Sequence, residues 1–126
     1  MAKLSINPIS GSLGAEVTGI DVRDISDTDF ELLEQVFHEY LVIAIRGQSL
    51  CPASLYALTE RLGGVGDTPY LTGLSDWPDV VPIIKEANEK SGRSFGAGWH
   101  TDFTFQAHPP SRTLLYAVDT PPVGGD

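Results

Sequence analysis

His38-Glu-Tyr-Leu-Val-Ile-Ala-Ile-Arg-Gly-Gln48 passes from polar side chains into an unbroken apolar run, Leu41 to Ile45, and stops at Arg46-Gly47. A strand with one wet face alternates apolar and polar residues, so a continuous β-branched run predicts a strand buried on both faces, central in a sheet. Upstream, Ser26 is a good N-cap with Asp29 three residues on. Phe30, Leu33, Val36, Phe37 and Tyr40 then share one helical face. The reading is therefore of a helix delivering the chain into a core strand. Still further upstream, Lys3-Leu-Ser-Ile-Asn7 alternates and meets Pro8, and Ala15-Glu-Val-Thr18 lies between Gly14 and Gly19. Both predict short strands, the first stopped by the missing proline N–H.

Downstream, Pro52 suits the first turn of a second helix in which Leu55, Leu58 and Leu62 keep helical spacing before Gly63-Gly64. Residues 63–82 are rich in Gly, Pro, Asp and Ser without periodicity, a length of loop that is usually functional or mobile. Val80–Lys85 predicts a strand at an edge or bulge because of Pro82, Ser91-Gly92 a hairpin tip, and Thr113–Val118 a buried strand before the turn at 120–125. Two early helices and several short strands make a β-rich α+β domain, a single one over residues 1–126, with no internal repeat. The chain ends on Gly124-Gly125-Asp126, read as a truncation within a turn that leads on into further structure.

Charge narrows the function classes. The net charge is −9, and the eight Lys and Arg among 126 residues form no run able to neutralise several phosphates. Nucleic acid and anionic membrane surfaces are therefore excluded as expected partners. Hydrophobic content of 41% with 20% charged residues is that of a folded, globular chain. No stretch approaches the apolar length of a membrane span or a signal peptide. Cys51 has no second cysteine to pair with, which fits a reducing cytoplasm and an inert thiol.

The chemistry is expected in Gly98-Trp-His-Thr-Asp-Phe-Thr-Phe105. On an extended strand residues i and i+2 project to one face, so His100 and Asp102 point together. An imidazole and a carboxylate are two parts of the 2-His-1-carboxylate triad, which leaves adjacent positions on Fe(II) open. A His-x-Asp pair arises often by chance in a chain this acidic, and by itself it decides nothing. His108 lies beside Pro109-Pro110, where the chain turns away, and His38 sits near a helix C-terminus where the dipole favours an imidazole without catalysis.

The surroundings of the pair resemble those of a known family. Trp99-His-Thr-Asp-Phe-Thr-Phe105, Pro109-Pro110, Leu114-Leu-Tyr-Ala117 and Pro122-Val-Gly-Gly-Asp126 follow in order and spacing the iron-binding region of TauD/TfdA dioxygenases. Leu13-Gly-Ala-Glu-Val-Thr-Gly-Ile-Asp-Val22 and His38–Gln48 are similar to that family's N-terminal signature and its helix-to-core-strand passage. The resemblance implies a partial double-stranded β-helix, or jelly-roll, with two N-terminal helices. It implies the cofactor Fe(2+) held by His100 and Asp102, the cosubstrate 2-oxoglutarate, and O2. It also implies hydroxylation of a small, anionic organic substrate as 2-oxoglutarate becomes succinate and CO2. The family's third ligand, a His, and its 2-oxoglutarate-binding Arg would lie beyond Asp126, so the 126 residues alone are expected to be inactive. A homo-oligomer of the full-length enzyme is compatible with the resemblance.

Substrate contacts are expected from Phe105, whose family position faces substrate, and from Tyr70 and Leu71 on a lid over residues 64–77. The plainer readings are that Phe105 merely packs, and that the loop is a connector with Tyr70 resting on the second helix. In taurine-specific relatives a His in this loop and an Asn ahead of the first iron ligand meet the sulfonate. Here those places hold Thr68 and Gly96, which argues against taurine. Lys85-Glu-Ala-Asn-Glu89 and Trp99-His100 are similar to relatives acting on aryloxyalkanoate acids. A non-catalytic, cupin-like binding module is the alternative from another class, and a partial gene product that folds poorly is the third.

Overall fold

The computed structural model describes residues 4–90, 96 and 98–123, and the chain divides into two compact units between Leu50 and Cys51. In the first unit, β1 (Ser5–Pro8) runs antiparallel to β2 (Ala15–Thr18). The connection is closed by the Ile9 amide donating to the Gly14 carbonyl at 2.8 Å, with Gly14 at φ 93°. Only glycine takes that backbone angle without cost, which is why the turn sits there.

Helix α1 (Asp27–Tyr40) begins where the cap motif predicts. The Ser26 hydroxyl accepts from the Asp29 amide at 3.1 Å, and Asp27 and Asp29 place negative charge at the positive end of the helix dipole. Its inner face buries Leu33 and Val36, with Phe30 and Tyr40 packed alongside. The helix ends on Leu41, whose left-handed backbone (φ 65°) returns its amide to the Phe37 carbonyl at 2.7 Å.

The chain then enters β3 (Ile43–Ile45), parallel to β2. The sheet order is β1-β2-β3, so the middle strand is β2. Ala15 and Val17 are wholly buried, whereas β3 is half-buried and Leu41 and Val42 are exposed. The expectation of a central strand over 41–45 is thus corrected. The first two residues of the run are spent on the helix cap and its exit, and the remaining three pair on one side only. The core is Ala15, Val17, Ile25, Leu33 and Val36, with Ile43 and Ile45 packed against it. Gln48 fastens the strand end. Its side chain accepts from the Val22 amide at 3.0 Å and donates to the Ile20 and Arg46 carbonyls at 2.9 and 2.8 Å.

The second unit opens with α2 (Pro52–Arg61), Pro52 in its first turn, the Cys51 amide donating to Ser54 Oγ at 2.8 Å, and Gly63 and Gly64 ending it at φ 118° and 94°. Beyond α2 the described residues hold no strand. Val80–Lys85 is not one. Val80 instead closes a turn, donating to the Trp77 carbonyl at 2.9 Å and accepting from the Leu74 amide at 3.0 Å, and Ile83 and Ile84 lie exposed. Thr113–Val118 alternates in exposure as far as Ala117 but forms no ladder. The hairpin tip at Ser91-Gly92 and the Gly-Gly-Asp end fall outside the described residues. Strands of four, four and three residues against helices of fourteen and ten make the described architecture α+β but not β-rich. No helix among the described residues is long and apolar enough to cross a membrane.

Candidate functional site

Residues 98–106 form a succession of bends and turns rather than the strand expected there. Phe103, at φ 50°, takes the left-handed conformation that curls the chain, and the Gln106 amide closes on the Phe103 carbonyl at 3.0 Å. The Thr101 and Thr104 hydroxyls, 2.8 Å apart, brace the bend. The pleat argument for bringing His100 and Asp102 together is therefore wrong in mechanism. The side chains meet regardless, with His100 Nε2 lying 3.1 Å from Asp102 Oδ1.

Each partner is held from behind. His100 Nδ1 is 2.7 Å from the Gly98 carbonyl, which only accepts, so Nδ1 carries the proton and Nε2 is the nitrogen turned to the carboxylate. The other carboxylate oxygen, Oδ2, accepts from Thr113 Oγ1 at 2.7 Å. A bare Nε2 and Oδ1 facing each other present lone pair to lone pair, which demands a proton or a cation shared between them. Two ligands bound at about 2.1 Å on adjacent octahedral positions lie about 3 Å apart. The observed separation fits a shared divalent cation, and an imidazole with a carboxylate is a donor set suited to iron. Among the described residues no third His, Cys, Asp or Glu completes a cluster with them. His38 lies in the last turn of α1.

The approach to the pair is open. Gly96, Gly98, Trp99 and His100 line a cavity of about 370 Å³, and Trp99 is fully exposed beside it. Gly96 has φ 72°, a conformation that strains any side chain, and a Cβ there would meet His100 Cε1 at 3.4 Å, in van der Waals contact with the imidazole. Of the three residues expected to touch substrate, two come together. The Tyr70 and Phe105 rings are 6.2 Å apart, both largely exposed, and Phe103 lies 6.1 Å from Phe105. Leu71 is half-buried, its amide donating to the Thr68 carbonyl at 3.1 Å. The 64–77 loop is tied to the His-Asp bend by Gln106 Nε2, which donates to the Asp67 carbonyl at 3.0 Å. The ring contact with α2 is made by Trp77, 5.5 Å from Tyr56, rather than by Tyr70.

Thr113, Gln106 and the Gly98 carbonyl were not legible beforehand. Thr113 reads only as the polar start of an apolar run, and its eleven-residue distance from Asp102 corresponds to no helical or strand period.

The chain is 33% identical to pentalenolactone F synthase of Streptomyces avermitilis, over 97% of this chain and 43% of that protein. It is 25% identical to the alpha-ketoglutarate-dependent sulfonate dioxygenase of Saccharomyces cerevisiae, over 100% of this chain and 33% of that one. It is 27% identical to the alpha-ketoglutarate-dependent 2,4-dichlorophenoxyacetate dioxygenase of Cupriavidus pinatubonensis, over 95% and 47% respectively. The chain thus spans a third to somewhat under half of the length of these relatives. In fold it is similar to a protein of Burkholderia xenovorans provisionally classed as an alpha-ketoglutarate-dependent taurine dioxygenase, with a TM-score of 0.69, 23% identity, and coverage of 86% of this chain and 38% of the other. Residues 5–126 match the taurine catabolism dioxygenase TauD, TfdA family, and the chain belongs to that family.

Proposed function

We propose that this chain contributes two iron ligands, His100 and Asp102, and part of the substrate wall to an Fe(II)- and 2-oxoglutarate-dependent dioxygenase built on a jelly-roll core. The observation that carries the reading is the 3.1 Å convergence of His100 Nε2 and Asp102 Oδ1 inside the segment matched to the family. When bound, Fe(II) with 2-oxoglutarate and O2 supplies the oxidising power for C–H hydroxylation, succinate and CO2 being released.

The residues present do the holding. The Gly98 carbonyl keeps the proton of His100 on Nδ1, leaving Nε2 free to bind. Asp102 would supply an anionic oxygen beside it. Tyr70 and Phe105, with Leu71 next to Tyr70 in the same loop, offer the apolar side on which a substrate rests, and the 64–77 loop acts as a lid that excludes water once substrate is in place. Two relatives are named for organic anions, a sulfonate and 2,4-dichlorophenoxyacetate. A small organic anion with an apolar portion is the substrate class that suits this wall. Thr68 and Gly96 offer the sulfonate of taurine fewer donors than a His and an Asn would.

The test is succinate formation by the whole protein with Fe(II), 2-oxoglutarate and a panel of organic acids. His100→Ala and Asp102→Ala are each expected to lower turnover more than about 100-fold, beyond what loss of a supporting residue costs. Turnover retained in both variants would remove the assignment.

A further inference from the structure

We infer that Thr113 is a positioning residue for the metal-binding carboxylate, setting which oxygen of Asp102 faces the cation. The inference rests on the iron reading of His100 and Asp102 given above. Asp102 is on an exposed bend with no strand to fix it, and a carboxylate there turns freely about its terminal torsion. One hydrogen bond removes that freedom. Thr113 Oγ1 donates to Oδ2 at 2.7 Å, in the range of charge-assisted bonds, while Oδ1 is left facing His100 Nε2 at 3.1 Å. The two oxygens are thereby given separate tasks, one to the protein and one to the cation.

The second consequence is geometric. Thr113 lies eleven residues beyond Asp102, past Pro109-Pro110, so the same bond closes the intervening loop and fixes where the ligand's backbone sits. His100 receives the matching support from the Gly98 carbonyl at 2.7 Å. Both ligands are therefore oriented by one hydrogen bond to the atom opposite the metal-facing one. Loss of a supporting bond of this kind typically costs about 10- to 100-fold in metal affinity.

The experiment titrates the whole protein with Co(II) alone, reading the visible absorption of the bound ion. Thr113→Val keeps the shape and deletes the hydroxyl, Thr113→Ser keeps the hydroxyl, and His100→Ala deletes a ligand. Thr113→Val is expected to weaken Co(II) binding about 10- to 100-fold with an unchanged unfolding midpoint, and Thr113→Ser to restore it. Wild-type affinity in Thr113→Val, together with weakened binding in His100→Ala, overturns the role of Thr113 and leaves the metal site standing. Equal weakening in the Val and Ser variants also overturns it, because the hydroxyl would then be irrelevant. Affinity unchanged in His100→Ala overturns the metal reading itself, and the role of Thr113 with it.

Discussion

The two units use opposite strategies. Residues up to Leu50 bury five core side chains between a three-stranded sheet and one helix, and every strand there has a hydrogen-bonded neighbour. Residues from Cys51 onward bury one leucine in α2 and otherwise rely on turns, single side-chain bonds and ring pairs, leaving Leu115, Val118 and Val123 more than three-quarters exposed. The side chains proposed to carry the chemistry all lie in the second unit. A packed core fixes its members through many weak contacts, whereas a site assembled from bends depends on a few specific ones. Loss of a contact should therefore cost stability in the first unit and geometry in the second.

The sharpest test of that contrast is a pair of truncations. Leu33→Ala, at a position 3% exposed, should lower the unfolding free energy by about 2–4 kcal/mol in urea titration, from lost transfer energy and the cavity left behind. Leu115→Ala in the same chain, at a residue 80% exposed, should change it by less than about 0.5 kcal/mol. Equal losses would break the comparison.

Gly73→Ala should show an intermediate effect of another kind. A Cβ at 73 would stand 1.9 Å from the Pro78 carbonyl oxygen, so the turn closed by Leu74 and Val80 must open. A cost of about 1–3 kcal/mol is expected, confined to the loop. In a Trp99→Phe background, Trp77 emission should shift to the red as its contact with Tyr56 loosens. An unshifted spectrum would mean that the loop tolerates what the packing forbids.

The smallest effect lies at the rim of the first unit. The Arg23 side chain, with help from its own backbone amide, holds the Asp21 carboxyl down from 3.8 to about 2. A carboxyl with a lowered folded-state pKa contributes stability above its unfolded pKa and loses it as the pH falls through the folded one. The first unit should thus lose a small increment between about pH 4 and pH 2. Asp21→Asn should lack that component of the titration, and an identical profile in the variant would assign the increment elsewhere.

How much could be read in advance divides along the same boundary. Ser26, Pro52 and Gly63-Gly64 announce both helices because caps act within one turn. β2 was legible because Gly14 and Gly19 punctuate it. The run Leu41–Ile45 was misjudged because an apolar run does not reveal how many neighbours a strand has, and because the helix end took Leu41. In the second unit the strands expected at 80–85, 98–105 and 113–118 rested on composition, while the ladder that makes a strand depends on partners that composition does not contain. The meeting of His100 with Asp102 was anticipated on a pleat that is absent. What joins them is the Gly98 carbonyl, the left-handed Phe103 and the Thr113 hydroxyl, and no periodicity encodes such one-off bonds.

The strand arrangement of the first unit also sets an order of events in time. β1 and β2 are joined by a short turn and can zip together in about 1–10 μs, whereas the parallel ladder Ala15↔Ile43 requires closure of a loop that spans the whole of α1. Pairing of β3 is consequently expected to follow the hairpin and the docking of the helix. Ala15, Glu16 and Val17 sit on both ladders, opposite Pro8, Asn7 and Ile6 on one side and Ile43, Ala44 and Ile45 on the other, so β2 is the strand through which the early and late stages of folding are coupled.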